Sequence, residues 1–200
     1  MGIEGKTVLV TGAGGYVGCH VVRALVDRGC KVRATARDTS DPATVDHIED
    51  LEGLTLVQAD LMEPGALDEA LDGCEAVVHA ASTVRLSAKD PQREIVDVAV
   101  TITRNVLQAC ASHTSVQRVV LTSSVAAIAD ESRPASHVFT EDDWNESATL
   151  KHDPYPLSKI RAERFAHDFV ADLEGDARFQ LTAVHPSFVQ GPLLSRKHLR

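Results

Sequence analysis

Short continuous apolar runs alternate along the chain with longer stretches whose apolar positions recur every three or four residues. Thr7-Val8-Leu9-Val10 is one such run, closed by glycines, as expected of a parallel strand buried on both faces. Residues 16–28 then place Val17, His20, Val21, Ala24 and Leu25 on one stripe, with Gly29 as the stop, which predicts a helix. Further strands are predicted at 31–36, 55–58, 76–79, 118–122 and 180–185. One helix ends at Gly73, another covers 154–173, and a long one covers 91–111 with Ile95, Val98, Ile102, Val106 and Ala109 in helical register. The acidic stretch 130–153, which carries Trp144, reads as an insertion between a strand and a helix. Strands alternating with helices imply an α/β fold, a doubly wound parallel sheet with right-handed crossovers.

Composition narrows the class. A hydrophobic fraction of 44% and a charged fraction of 24% are those of an ordinary globular domain, and 200 residues suit one such unit. The net charge of −9 argues against nucleic acid or an anionic membrane as partner. It does not bear on a phosphate-bearing small molecule, for which local Arg, Lys and backbone N–H groups decide. No apolar run approaches a membrane span, and MGIEGK leads into the first strand without the features of a signal peptide. Cys19, Cys30, Cys74 and Cys110 lack CxxC spacing and read as small core residues in a reducing compartment, with no metal site expected. The simplest expectation is a cytoplasmic enzyme acting on a small molecule.

Between the first strand and the first helix lies Thr11-Gly12-Ala13-Gly14-Gly15-Tyr16-Val17-Gly18, where a dinucleotide-binding fingerprint belongs. Gly12 suits the tight turn, Gly15 lets backbone approach a pyrophosphate, and Gly18 permits close helix–strand packing. Tyr16 and Val17 open the helix, whose unpaired N–H donors face an anion. The cofactor's ribose is read at the end of the second strand, in Arg33-Ala34-Thr35-Ala36-Arg37-Asp38. A guanidinium at Arg37 grips a 2′-phosphate bidentately, which favours NADP(H). Asp38 keeps NAD(H) open as the alternative, and Arg37 paired with Asp38 is the plain reading. Asp60 and Leu61 after the third strand, and Ala80, Ala81 and Ser82 after the fourth, stand where open α/β sheets bind ligands. His79 reads equally well as a hydrogen-bonded core histidine.

Tyr155 and Lys159 are four apart, in Asp153-Pro154-Tyr155-Pro156-Leu157-Ser158-Lys159, and so share a helix face. The prolines place Tyr155 in the first turn. Hydride delivery to a carbonyl creates an alkoxide that needs a proton. An ammonium about 5 Å from a phenol, at an effective dielectric near 20, stabilises the phenolate by about 3 kcal/mol, so proton transfer becomes easier. The fifth strand ends in Leu121-Thr122-Ser123-Ser124. A hydroxyl there polarises a substrate oxygen, and strand alternation favours Ser124 over Ser123.

With the glycine loop, Ser124, Tyr155 and Lys159 in that order, the chain resembles the extended short-chain dehydrogenase/reductases of the NAD-dependent epimerase/dehydratase superfamily. More narrowly it is similar to the dihydroflavonol 4-reductase and cinnamoyl-CoA reductase group. The segments that carry the likeness are VRATARD, SAKDPQREIV, RVVLTSSVAAI, YPLSKIRAE and HPSFVQGPLL, within a resemblance running from Lys6 to about Leu194. It implies a Rossmann fold, carbonyl reduction with NADP(H), and Ser124, Tyr155 and Lys159 as the catalytic set. It also implies that Lys159 holds the nicotinamide ribose and that Pro186, Ser187 and Val189 lie against the nicotinamide. Relatives continue for roughly another hundred residues, a second lobe that closes the substrate pocket. On that reading 1–194 is the dinucleotide-binding domain, and the basic residues 195–200 begin a lobe this chain lacks. A monomer and a homodimer are both compatible with the sequence. A nucleotide-sugar epimerase or dehydratase with tightly held NAD, and a non-catalytic dinucleotide-binding fragment, are the competing readings. Arg37→Ala is expected to raise the KM for NADPH far more than that for NADH, measured by initial rates or by titration; an equal effect on both removes the assignment of Arg37.

Overall fold

The computed structural model describes residues 2–199. Six strands, β1 (Thr7–Thr11), β2 (Lys31–Ala36), β3 (Leu54–Gln58), β4 (Ala76–His79), β5 (Arg118–Thr122) and β6 (Gln180–Val184), form one parallel sheet in the order β3-β2-β1-β4-β5-β6. This is the doubly wound Rossmann arrangement. Its strand order reverses between β1 and β4, which opens a crevice at their carboxyl ends.

Strand alternation divides the core in two. Val8 and Val10 of β1 point to α1 (Tyr16–Val26), where Cys19 and Val22 meet Val32, Ala34 and Ile48. Leu9, one residue away, points to the other face. There Ile102, Val106 and Leu107 of α4 (Asp97–Ser112) and Ala166 of α5 (Pro154–Ala171) pack with Leu71, Val77, Val119 and Leu121. Coverage is uneven at the far edge: β6 alternates between exposed and half-buried positions, and Val184 is 40% exposed.

The six predicted strands are all present, within a residue or two at their ends. Helices differ more. The stretch before β4 holds only one turn, α3 (Asp68–Leu71), and Arg33 of β2 caps it by donating to the carbonyls of Ala70 at 2.9 Å and Asp72 at 2.5 Å. The long helix predicted over 91–111 opens with a π-helical turn, Gln92–Val96, before α4 begins. A further turn, α2 (Pro42–Val45), follows β2. Asp41 starts it by accepting from Ala43 N and Thr44 Oγ1, and Pro42 occupies the first helical position. Residues 130–153 contain no helix or strand; Asp130 anchors them by accepting from the backbone of Ser132 and Glu146, both at 2.9 Å.

Two glycines bring the loop onto its neighbours. Gly12 turns with φ of 71°, and a Cβ there would stand 2.6 Å from Ala81 Cα, so the loop lies directly on the end of β4. A Cβ at Gly18 would stand 2.1 Å from the carbonyl oxygen of Gly12. Gly18→Ala must therefore push α1 off the loop. The expected loss is about 1–3 kcal/mol of stability, seen as a lower urea midpoint with unchanged slope.

Candidate active site

A cleft of about 930 Å³ runs along the carboxyl ends of β1, β2 and β4. Gly12, Gly14 and Gly15 form its floor, Arg37 and Asp38 one rim, Asp60 and Leu61 the next, and Ala80, Ala81 and Ser82 the wall toward β5. The loop is fastened by Thr11, whose Oγ1 accepts from Ala81 N at 3.3 Å and lies 2.7 Å from His79 Nδ1. Thr11 Oγ1 and His79 Nδ1 share one hydrogen bond, which ties the end of β1 to the end of β4. Burial, with the Lys159 charge nearby, brings the His79 imidazole down to about 3, so it stays neutral. His79 is a hydrogen-bonded core histidine that fixes the cleft wall.

Arg37 is exposed at the cleft and makes no ion pair among the described residues. Pairing with Asp38 does not occur. Asp38 Oδ1 instead accepts from Ser40 N at 2.8 Å and Ser40 Oγ at 2.7 Å, contacts that hold its pKa below the ordinary carboxylate range. Asp60 Oδ1 accepts from Met62 N at 3.0 Å, while its side chain remains on the cleft. Lys197, to which no sequence signal pointed, reaches the same cleft beside Thr44, with Nζ 2.5 Å from Thr44 Oγ1. Tyr16, Val17 and Gly18 do not line this cleft; they stand behind it at the start of α1.

The second half of the site lies where β5, α5 and β6 meet. Pro154 starts α5 and Tyr155 occupies its first turn, half-buried. One turn on, Lys159 is 7% exposed, donates to Thr122 O at 3.1 Å, and holds Nζ 6.0 Å from the centre of the Tyr155 ring. Burial brings its ammonium down to about 8, against the opposing pull of the Glu163 carboxylate. Glu163, a further turn along and 3% exposed, accepts from Ser123 Oγ and lies 2.8 Å from His185 Nε2. A cavity of about 10 Å³ between His79, Ser123, Lys159 and Glu163 has room for about one water.

The two serines are thereby separated. Ser123 is committed to Glu163, whereas Ser124 Oγ accepts from Ala126 N at 3.2 Å as the cap of the short helix Val125–Ala127, which leaves its hydrogen to donate. Val125 N donates to Pro186 O at 3.0 Å, so Pro186 lies beside Ser124, and Ser187 and Val189 follow in an exposed stretch. Glu163 and His185 were missed as site residues. Glu163 was findable, standing four residues after Lys159 on the same helix face. His185 meets Glu163 only through the fold.

A glycine-floored cleft at the strand reversal, with Tyr155 and Lys159 at the same end of the sheet, defines a dinucleotide-binding domain of the short-chain dehydrogenase/reductase class. The chain belongs to the 3-beta hydroxysteroid dehydrogenase/isomerase family, whose profile matches residues 9–198. It is 41% identical over 198 residues to cinnamoyl-CoA reductase CAD2 of Medicago truncatula, covering 95% of this chain and 60% of that protein. Dihydroflavonol 4-reductase of Arabidopsis thaliana is 35% identical over 199 residues, 95% of this chain and 51% of its own length. Yeast methylglyoxal/isovaleraldehyde reductase Gre2, solved with NADPH, superposes with a TM-score of 0.86 at 30% identity, over 97% of this chain and 61% of that structure. The chain thus spans little more than half the length of these relatives.

Lys159 carries a stability consequence. The unfolded chain keeps this proton up to about 10.5 and the folded chain only up to about 8. Between those values unfolding takes up a proton, so the penalty is complete below about 8 and fades as pH rises toward 10.5. Lys159→Met is expected to stabilise the protein by about 1–3 kcal/mol near neutral pH, the gain shrinking above about pH 8; urea denaturation across that range measures it.

Proposed function

We propose that this chain is the cofactor-binding and proton-transferring part of an NADP(H)-dependent oxidoreductase that reduces an aldehyde or ketone to an alcohol in the cytoplasm. The observation that carries the reading is the buried Lys159 ammonium 6.0 Å from the Tyr155 ring, at the same sheet edge as the glycine-floored cleft. No helix among the described residues is long and apolar enough to cross a membrane.

The residues present fit the dinucleotide. The bare loop surface at Gly12, Gly14 and Gly15 takes a diphosphate, with α1's first turn of N–H groups behind it. Arg37, without an ion-pair partner among the described residues, takes the 2′-phosphate that NADP carries and NAD lacks; the choice of NADP(H) is supported by the NADPH bound in the Gre2 structures. Asp60 and Leu61 border the adenine end, Ala80, Ala81 and Ser82 the middle, and Pro186, Ser187 and Val189 the nicotinamide end. When bound, the reduced nicotinamide supplies a hydride.

The chain's own residues do the rest. Ser124 donates a hydrogen bond to the substrate oxygen and polarises it. Tyr155 gives its phenolic proton to the oxygen as negative charge develops, and the Lys159 ammonium stabilises the phenolate left behind. Lys159 also holds the nicotinamide ribose. The Glu163 carboxylate one turn on favours the Lys159 charge electrostatically and offsets part of the cost of its burial. Residues 1–194 form the dinucleotide-binding domain, and 195–200 lead toward the substrate lobe. Tyr155→Phe should lower carbonyl-dependent NADPH oxidation by about 100- to 10,000-fold while leaving the NADPH dissociation constant within about twofold. Loss of both together, or of neither, defeats the assignment.

A further inference from the structure

Cys19, His47 and His198 each bring one ligand atom to a common point, all within 4.8 Å of one another. The three come from separate stretches: Cys19 from α1 behind the glycine loop, His47 from just beyond α2, and His198 from the helical turn Arg196–Leu199 that folds back over the loop. Both imidazoles are oriented from outside the cluster. His47 Nδ1 lies 3.4 Å from Asp46 Oδ1, and His198 Nε2 lies 3.4 Å from Gly14 O. The inner nitrogens, His47 Nε2 and His198 Nδ1, are buried and have no hydrogen-bond partner among the described residues. The His47 side chain is only 3% exposed, and the two rings stand edge to face at 5.1 Å.

An unpaired buried ring nitrogen costs about 1–3 kcal/mol, and folded proteins tolerate few of them. Two that converge on one thiol call for a common partner. A carboxylate or carbonyl on the outer nitrogen of a histidine, with the inner one bare, is the arrangement that sets imidazoles for metal binding.

We propose that Cys19, His47 and His198 bind a Zn²⁺ ion, with a fourth tetrahedral position left to water. One thiolate and two neutral imidazoles suit Zn²⁺ rather than Mg²⁺ or Ca²⁺, which take oxygen ligands. Neighbouring ligand atoms around tetrahedral zinc lie about 3.3–3.6 Å apart. The ion therefore draws the cluster inward by about an ångström. Cys19 Sγ now donates to Tyr16 O at 3.1 Å. On binding, the S–H bond breaks, its proton goes to solvent, and the sulfur pair is donated to the metal; no redox change is involved. The ion ties the segment of His198, and with it the neighbouring Lys197 on the cleft, to the first helix and the loop it carries.

The test uses the full chain stripped with chelator, then titrated with Zn²⁺ against a chromophoric competitor. One zinc per chain at micromolar affinity or tighter is expected. Substitution with Co²⁺ should give a thiolate-to-metal charge-transfer band in the near ultraviolet, lost in Cys19→Ala. His198→Ala alters an outlying segment rather than either core, so the metal-free fold should be unchanged while zinc affinity falls by more than about 100-fold. No thiolate band in the cobalt protein, or zinc binding undiminished in both His47→Ala and His198→Ala, overturns the proposal. These readouts use neither cofactor nor reductase activity, so they stand or fall apart from the function proposed above.

Discussion

One buried ammonium organises the far half of this fold. Removing a lysine head group from water is among the costlier things a protein can do, and the cost is offset only where every neighbour cooperates. Around Lys159 the neighbours come from three elements: the Thr122 carbonyl from β5, the Glu163 carboxylate from α5 itself, and His185 at the end of β6, which holds Glu163 in turn. Ser123 closes the circuit. The elements must meet at one register for any of these contacts to form. The network thus specifies how α5 sits on the sheet, as well as preparing a charge beside Tyr155. A site of this kind trades stability for chemistry, a common bargain where a charged group must be kept ready.

The near half works by absence rather than by charge. Thr11 and His79 bind the ends of β1 and β4 together, and the glycines remove the side chains that would otherwise keep backbone from backbone. The resulting groove has polar N–H groups below and a guanidinium at its rim, while the chain's overall charge is negative. Local arrangement, not the sum of charges, decides what such a surface attracts.

Much of this was legible before any coordinates. The six strands announce themselves because each is a short β-rich run between punctuating glycines or polar turns, and a buried parallel strand has few other ways to be written. The glycine loop and the Tyr155–Lys159 pair are local in sequence, so their geometry follows from a turn and a helix alone. Helix lengths were less legible. Nothing in the periodicity of 91–111 marks a π turn at its start, and the one-turn α3 is capped by Arg33, a residue far from it in the chain. Asp38 turning to Ser40 rather than to Arg37 is likewise a competition between two short-range partners, settled by loop geometry. Lys197, His185 and the gathering of Cys19 with two histidines were invisible for a simpler reason: each depends on segments that only tertiary folding brings together.

The bare flank of β6 has a consequence for motion. That strand is joined to the sheet on one side only and has no fully buried position, so it can fray at less cost in free energy than the central strands. His185 rides at its end. Each brief fraying of this border therefore releases Glu163 and loosens the grip on the ammonium beyond it, coupling the chemistry of the interior to the integrity of the outermost ladder. Whatever covers that flank, in this chain or in a longer one, would steady the proton-transfer group without touching it.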